Sequence, residues 1–433
     1  MKEDLLQYAW LYRLYDDNQL QTVDGEPISV INVGELNRDA GPDFFNVKVK
    51  IGGTIWAGNV EIHVAASDWH KHHHDEDPRY DSVVLHVVDR SDTRIRRANG
   101  DLIPQVEMRL DAATLAKYED FRRPHQWIHC EKHWKRITHE YLQLQLCRMI
   151  HLRLSRKTEE IFTLLQQNRN NWSEVFYRLL AKSFGMHTNA LPFDQLAQSL
   201  PLPCLAKHKD HPEQLEALFF GQAGLLEATP SDDYEALLQR EYNFLRHKFG
   251  LTPIDPSLWK FARMRPNNSP YVRIAQLAAL VHRSNNLFSK VLEMKDPSSI
   301  RQTLQTDVSP YWHTHMKFGA TSPTSTKRMS DTTLDLLIIN AVCPVLYAYA
   351  IQKEDEETQD RMMTILEQIP AERNHTVEGW KRFGLCVENA FQSQALIELK
   401  TQYCDMRKCL QCSIGHKLLA RKCGGEYLER PLP

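Results

Sequence analysis

The residues best suited to chemistry crowd into one stretch, between Gly34 and Val88. Asp43 stands at the mouth of a β-type run, Phe44 to Ile51, and a Glu-x-His pair, Glu61 and His63, lies in the next run, Thr54 to Val64. There Val60, Ile62 and Val64 alternate with Asn59, Glu61 and His63. Successive strand side chains point to opposite faces, so Glu61 and His63 share the face turned away from the apolar one. A carboxylate at one strand mouth and a carboxylate–imidazole pair on its neighbour can converge on one divalent cation, Mg²⁺ or Mn²⁺, as metal-assisted hydrolysis requires. Glu35 before the hairpin and His86 after it are candidates to support that site. Lys48 and Lys50 are candidates to bring positive charge to a substrate. The plainer alternative is a solvated polar sheet face.

Two other clusters have ligand chemistry. The segment Ser67 to Tyr80, SDWHKHHHDEDPRY, holds His70, His72, His73 and His74 among acids. By composition it is a polar surface loop, yet it follows His63 directly and precedes His86. It can therefore overhang the same pocket, with His72 and His74 contacting substrate phosphate or a second ion. Near the C-terminus Cys404-x4-Cys409-x2-Cys412 is followed by Cys423. Thiolates so spaced can close around a structural zinc, and the same steps occur in iron–sulfur ligation; buried free thiols are the alternative. Arg407, Lys408, Lys417, Arg421 and Lys422 lie among them, so a bound metal would also stiffen a basic knob. Weaker candidates are the arginines of Arg263 to Arg273, suited to phosphate or to interhelical salt bridges, and Tyr311-Trp312-His313 with His315 and Lys317, suited to base stacking or to closing a core.

These side chains need a scaffold, and hydropathy patterning supplies one. Gly52-Gly53 tolerates positive φ and turns the Asp43 run into a hairpin with the Glu61 run. Apolar residues at helical steps across 3 to 16 predict a core-facing helix, and Pro27 to Val33 and Ser82 to Val88 read as strands. Thr93 to Arg97 and Leu102 to Leu110 flank Asn99-Gly100, a hairpin signal. From Ala112 the pattern is helical: Tyr141 to Gln167, Trp172 to Phe184, Tyr234 to Phe249, Ile274 to His282, Thr333 to Ala350, Glu357 to Gln368 and Val387 to Thr401 show three- and four-residue apolar steps. The expected class is α+β: a mixed α/β domain over 1–135, a mostly α-helical domain over 136–400 and a Cys-rich module over 401–433.

With 433 residues and 42% hydrophobic content the chain can bury sizeable cores without covalent help. A formal net charge of -2 excludes a global field that recruits nucleic acid or an anionic membrane. The N-terminal MKEDLLQYAWLYRLY is acidic and amphipathic, unlike a signal peptide, and no long apolar run stands out. Nine cysteines are too sparse for a disulfide scaffold, which points to a reducing, cytoplasmic setting.

The set Asp43, Glu61 and His63, with Glu35 and His86, resembles the core motif of the PD-(D/E)xK nuclease superfamily. There an Asp opens one hairpin strand, an acidic-x-Lys triplet lies on the next, and an N-terminal helix often adds a Glu. His63 stands where that superfamily has Lys, and Lys48 or Lys50 would have to replace the charge. The resemblance implies a restriction-endonuclease-like core and a metal-dependent nuclease, with DNA ahead of RNA as substrate. Asp43 and Glu61 would hold the ion, His63 would orient or deprotonate the attacking water, and Glu35 or His86 would support the shell. The missing Lys favours the rival expectation, a non-catalytic nucleic-acid-binding or scaffold protein with a degenerate core. Over most of its length, in GPDF, GNVEIH, SDW, DPRY, LHVV, SQALIELK and the Cys-rich tail, the chain also resembles a bacterial family known only as a domain of unknown function.

Overall fold

The computed structural model describes residues 3–15, 20–37, 40–97, 99–110, 112–122, 127–262 and 266–419. Helix α1 (Glu3–Leu11) comes first, then β1 (Ile28–Asn32), β2 (Glu35–Leu36), β3 (Phe44–Ile51), β4 (Thr54–Ala65), a short α2 (Asp68–Lys71), β5 (Val83–Arg90), β6 (Gln105–Glu107) and α3 (Ala112–Arg122). Glu3 and Asp4 complement the positive end of the α1 dipole, while Leu5, Leu6, Ala9 and Trp10 are fully buried. The apolar stripe runs on toward residue 16, but Arg13 takes φ +51° and the Leu14 N–H bonds back to Ala9. The helix therefore ends at Leu11.

The strands form one mixed sheet in the order β1-β3-β4-β5-β6, with β2 also paired to β3. β3 and β4 run antiparallel from Ile51↔Thr54 at the turn, where Gly52 has φ +56°, to Phe44↔Val60 at the mouth. β4 and β5 are parallel, as are β5 and β6. Every residue of β5 from Val83 to Val88 is buried, as expected for a strand in a parallel arrangement covered on both faces. The expected hairpin around Asn99-Gly100 shrinks to one bridge, Arg96↔Leu102. Gln105 to Glu107 instead extend the parallel ladder beside β5. Val106 is almost wholly buried there, so joining the core outweighs continuing a local pairing.

The chain divides into two compact units, Met1–Gln145 with Leu399–Pro433, and Leu146–Glu398. The described part of the Cys-rich stretch thus belongs to the first unit. The second unit is mostly helical; its elements include Trp172–Phe184, Asp233–Phe249 and Pro270–Arg283, with one two-stranded pairing of His315–Lys317 and Ala320–Thr321. Its segment Asp331–Lys353 is 23 residues long and meets the length and composition of a membrane-crossing helix, a feature the sequence reading passed over. Some 78% of its most apolar window is buried inside the protein, as in the core helix of a folded domain. A π-turn, Ile338–Val342, interrupts it just before Pro344, whose ring nitrogen cannot donate the next helical hydrogen bond. The chain is thus α+β with a mixed sheet and mostly helical overall.

Candidate metal centre

Asp43 and Glu61 face each other because of the β3–β4 register. With Phe44 opposite Val60, residues 43 and 61 are cross-strand neighbours at the hairpin mouth and project from the same face. A bulge between the Phe44↔Val60 and Val47↔Gly58 pairs, with Asn46 at φ +57°, adds one residue to β3 and re-aims that mouth. The Asp43 N–H donates to Glu61 Oε2 (3.0 Å), and the Ile62 N–H donates to Asp43 Oδ2 (3.0 Å). From α1, Gln7 Nε2 donates to Asp43 Oδ1 (2.8 Å). Gly58 lets β5 close against β4: a Cβ there would lie 2.4 Å from Val84 Cγ1 and 2.6 Å from the Ser82 carbonyl. That approach sets Glu61 opposite His86 and His63 opposite Val88.

Glu61, His63 and His86 are 5%, 1% and 0% exposed, which rules out a solvated sheet face. Part of the cover is the histidine segment itself. Asp92 accepts from the N–H and hydroxyl of Ser67, Asp68 accepts from the Ala65 N–H, and Asp77 caps the 3-10 turn Pro78–Tyr80. Trp69 and Tyr80 are buried in a cluster with Val83, Ile95 and Ile103. His73 turns the chain at φ +58°. His74 is thereby stacked on Tyr80 (centroids 3.8 Å apart, 20° between planes), and His72 is carried back over His63.

Donor atoms converge as a result, three imidazoles in one group and Glu61 beside two of them. His63 Nε2 lies 3.4 Å from Glu61 Oε1 and 3.1 Å from His72 Nδ1, and His74 Nε2 lies 3.2 Å from the same Glu61 oxygen. Ligating nitrogens of His63, His72 and His74 all fall within 4.8 Å of one another. Buried His74 Nε2 is close to Glu61 Oε1 but has no hydrogen-bond partner among the described residues. Two ligand atoms each about 2.1 Å from one ion sit roughly 3.0 Å apart at octahedral angles and roughly 3.4 Å apart at tetrahedral ones. The contacts around Glu61 Oε1 have the edge lengths of such a polyhedron, so these residues fit a divalent ion. Behind them His86 Nε2 meets His63 Nδ1 at 2.9 Å. A histidine held at one ring nitrogen presents the other in a fixed direction, here Nε2 toward Glu61.

Burial favours the neutral form of every group in this cluster whose shift is resolved. Burial pushes the Asp43 carboxyl up to about 8, and the Glu61 carboxylate beside it adds to the shift. Burial likewise pushes Glu61 up to about 8, with Glu3 adding repulsion. In the opposite sense burial, reinforced by His74 and His72, pulls His63 down to about 3. Burial also lowers His74, and lowers His86 well below the ordinary imidazole range. Carboxyls that resist losing protons and imidazoles that resist gaining them make a pocket whose lone pairs are available but poorly compensated.

Other expected residues fall elsewhere. Glu35 is exposed on β2, opposite Phe45. Glu3 of α1 is the further acid that couples to Asp43 and Glu61, and it is also within electrostatic reach of His72 and His74. The acidic start of the helix was the signal for it. Lys48 and Lys50 are exposed on β3, opposite Ala57 and Ile55. Ala57 is four residues from Glu61, about 13 Å along a strand, so neither lysine fills the place that His63 occupies. Arg263, Arg265, Arg421, Lys422 and Cys423 lie outside the described residues. Arg273 is buried and donates to Gln276, Asn268 and Thr333, a structural role. Trp312 is fully buried, stacks near Phe220 and donates to Glu216, so the aromatic run closes a core. Cys404, Cys409 and Cys412 come together in the first unit, and Cys130, which sequence spacing did not suggest, is beside them.

Fold and site together define an α+β protein with a buried carboxylate–histidine centre at the mouth of a β-hairpin. Residues 3–375 match a family described as protein of unknown function (DUF2851), and the chain belongs to it. No curated protein and no solved structure matches the chain.

Proposed function

We propose that the first unit is a metal-dependent phosphodiesterase acting on nucleic acid, with Glu61, His63, His72 and His74 holding the ion. The observation that carries this reading is the convergence of three imidazole nitrogens within 4.8 Å of one another, with buried Glu61 Oε1 3.4 Å from His63 and 3.2 Å from His74. Three imidazoles shift the preferred ion from Mg²⁺ toward Mn²⁺ or Zn²⁺. A bound divalent ion supplies Lewis acidity that polarises a phosphodiester and activates water. Asp43, fixed by Gln7 and the Ile62 N–H, borders the ion and, with Glu3, sets the negative potential that retains it. His86 holds His63 in orientation. Exposed His72 stands on the open side of the set, where water would reach a bound ion. Lys48 and Lys50, on the same sheet face but too far for the scissile group, suit flanking phosphates of a polymer. The order of α1, the Asp43 strand, the Glu61 strand and a parallel β5 supports a restriction-endonuclease-like core.

The test is incubation of the full chain with labelled DNA and RNA in Mg²⁺, Mn²⁺ and Zn²⁺, alongside Glu61→Ala. Cleavage that depends on metal and falls at least 100-fold in the variant is expected. Cleavage unaffected by the substitution refutes the mechanism. Metal binding with no cleavage of either polymer favours the binding or scaffold alternative, which the displaced lysines support.

A further inference from the structure

The second cluster of ligand-type side chains joins parts of the chain more than 270 residues apart. Cys130 begins the 3-10 turn Glu131–Arg136, whereas Cys404 closes the π-turn Leu399–Cys404, and Cys409 and Cys412 bracket the 3-10 turn Cys409–Gln411. These segments are held together independently of any thiol. The Lys400 ammonium sits over the Trp127 ring at 4.6 Å, and Tyr141 Oη donates to the Ser413 carbonyl (2.8 Å). Lys417 lies over the Tyr141 ring at 4.7 Å, and Tyr8 Oη meets His416 Nδ1 at 2.7 Å. Gly415 packs so tightly on the Cys409 carbonyl that a Cβ would lie 2.0 Å from that oxygen, folding the helix Ser413–Leu419 back onto the Cys409 turn.

Within this frame the four thiols form one group. Cys130 lies within electrostatic reach of Cys409 and Cys412, and Cys404 within reach of Cys412, Cys130 and Cys409. Cys412 is buried, the other three are partly buried, and no disulfide joins any of them. Two cations face the group, Lys400 toward Cys404 and Arg407 toward Cys409, where they offset the charge of a multi-thiolate centre. Among the described residues no three of these sulfurs meet within 4.8 Å, wider than the roughly 3.8 Å of a tetrahedral zinc site and suited to a cluster whose irons stand between the thiolates. We propose that Cys130, Cys404, Cys409 and Cys412 together hold one iron–sulfur cluster, with Cys130 joining the three cysteines of the C-terminal segment. The centre staples the C-terminal segment to the turn that follows α3. It is separate from the carboxylate–histidine centre and does not depend on the function proposed for that site.

The experiment uses full-length protein purified anaerobically, with zinc, iron and acid-labile sulfide measured on wild type and on Cys130→Ser, Cys409→Ser, Cys423→Ser and Glu61→Ala. Cys130→Ser and Cys409→Ser are expected to lose the same complement of metal, which Cys423→Ser and Glu61→Ala retain. Absorbance near 400 nm with iron and labile sulfide supports the assignment; zinc without labile sulfide overturns it. Wild-type protein provides the check that does not depend on folding of the variants: alkylation followed by mass spectrometry, with and without 1,10-phenanthroline. Cys130, Cys404, Cys409 and Cys412 are expected to react at least tenfold faster once metal is stripped, while exposed Cys147 and Cys386 are unaffected. Full metal retention in Cys130→Ser, or a Cys130 alkylation rate indifferent to the chelator, overturns the proposal.

Discussion

Replacing Glu61 with Gln should, at mildly acidic pH, change the protein's stability in opposite directions with and without metal. The amide keeps an oxygen to accept the Asp43 N–H and nearly the same volume, so the substitution removes charge without leaving a cavity. In chelated wild type the Glu61 carboxyl is held up at about 8 against 4.5 in an exposed setting, chiefly by burial. The folded state therefore keeps a proton that the unfolded state releases above pH 4.5. That contribution is fully present below pH 4.5, declines as pH rises, and is lost above about pH 8. The shift of about 3.5 units corresponds to a penalty on the order of 5 kcal/mol at alkaline pH. For a unit of this size that is on the order of 10 °C in Tm. His63 slopes the other way, its lowered pKa costing stability below pH 6.5, but it is present in both proteins and cancels in the difference. Calorimetry on chelated samples from pH 4 to 9 should show Glu61→Gln equal to wild type at the acid end and increasingly more stable toward pH 8. Mn²⁺ or Zn²⁺ at 100 times its Kd stabilises wild type by about 2.7 kcal/mol while the amide binds poorly, so metal should reverse the order below about pH 6.5, where the chelated difference is smaller than that, and only narrow it toward pH 8. A Tm difference that is flat with pH in chelator, or equal stabilisation of both proteins by metal, would refute the reasoning.

Two further perturbations probe the scaffold. Gly58→Ala places a methyl against Val84 and the Ser82 carbonyl and should cost roughly 1–3 kcal/mol; an unchanged melting temperature would show that the β4–β5 approach is not as tight as drawn. In the second unit Glu216 is almost fully buried, accepts from Trp312 Nε1 (2.7 Å) and Tyr234 Oη (3.0 Å), and is pushed up to about 7 by burial. Its raised pKa means stability present below pH 4.5 and lost as pH rises through 7, roughly 3 kcal/mol in all. Glu216→Gln should flatten that part of the urea-denaturation profile, and an unaltered pH slope would show that the group is ionised in the fold.

Much of the scaffold was legible locally. The Phe44–Ile51 and Thr54–Ala65 hairpin follows from period-two alternation around Gly52-Gly53, and Trp172–Phe184 follows from three- and four-residue apolar steps, because both patterns depend on nearest neighbours. Alternation also placed Glu61 and His63 on one face. It could not say whether that face was wet, since covering it takes α1 and the Trp69–Tyr80 segment, which meet the sheet only in three dimensions.

The same limit explains which site residues were missed or misplaced. Lys48 and Lys50 are close to Asp43 in sequence, yet β3 extends at about 3.3 Å per residue and carries them away from Glu61. Glu3 is 58 positions from Glu61, yet it adds to that acid's burden through the packing of α1. Cys404, Cys409 and Cys412 announce themselves by spacing, but nothing in the spacing points to Cys130, which the fold brings near them. Sequence alone thus determined which side chains have ligand chemistry and which strands and helices present them. Only the tertiary structure decided which of them share one dry volume, because desolvation and charge coupling depend on distance through space rather than along the chain.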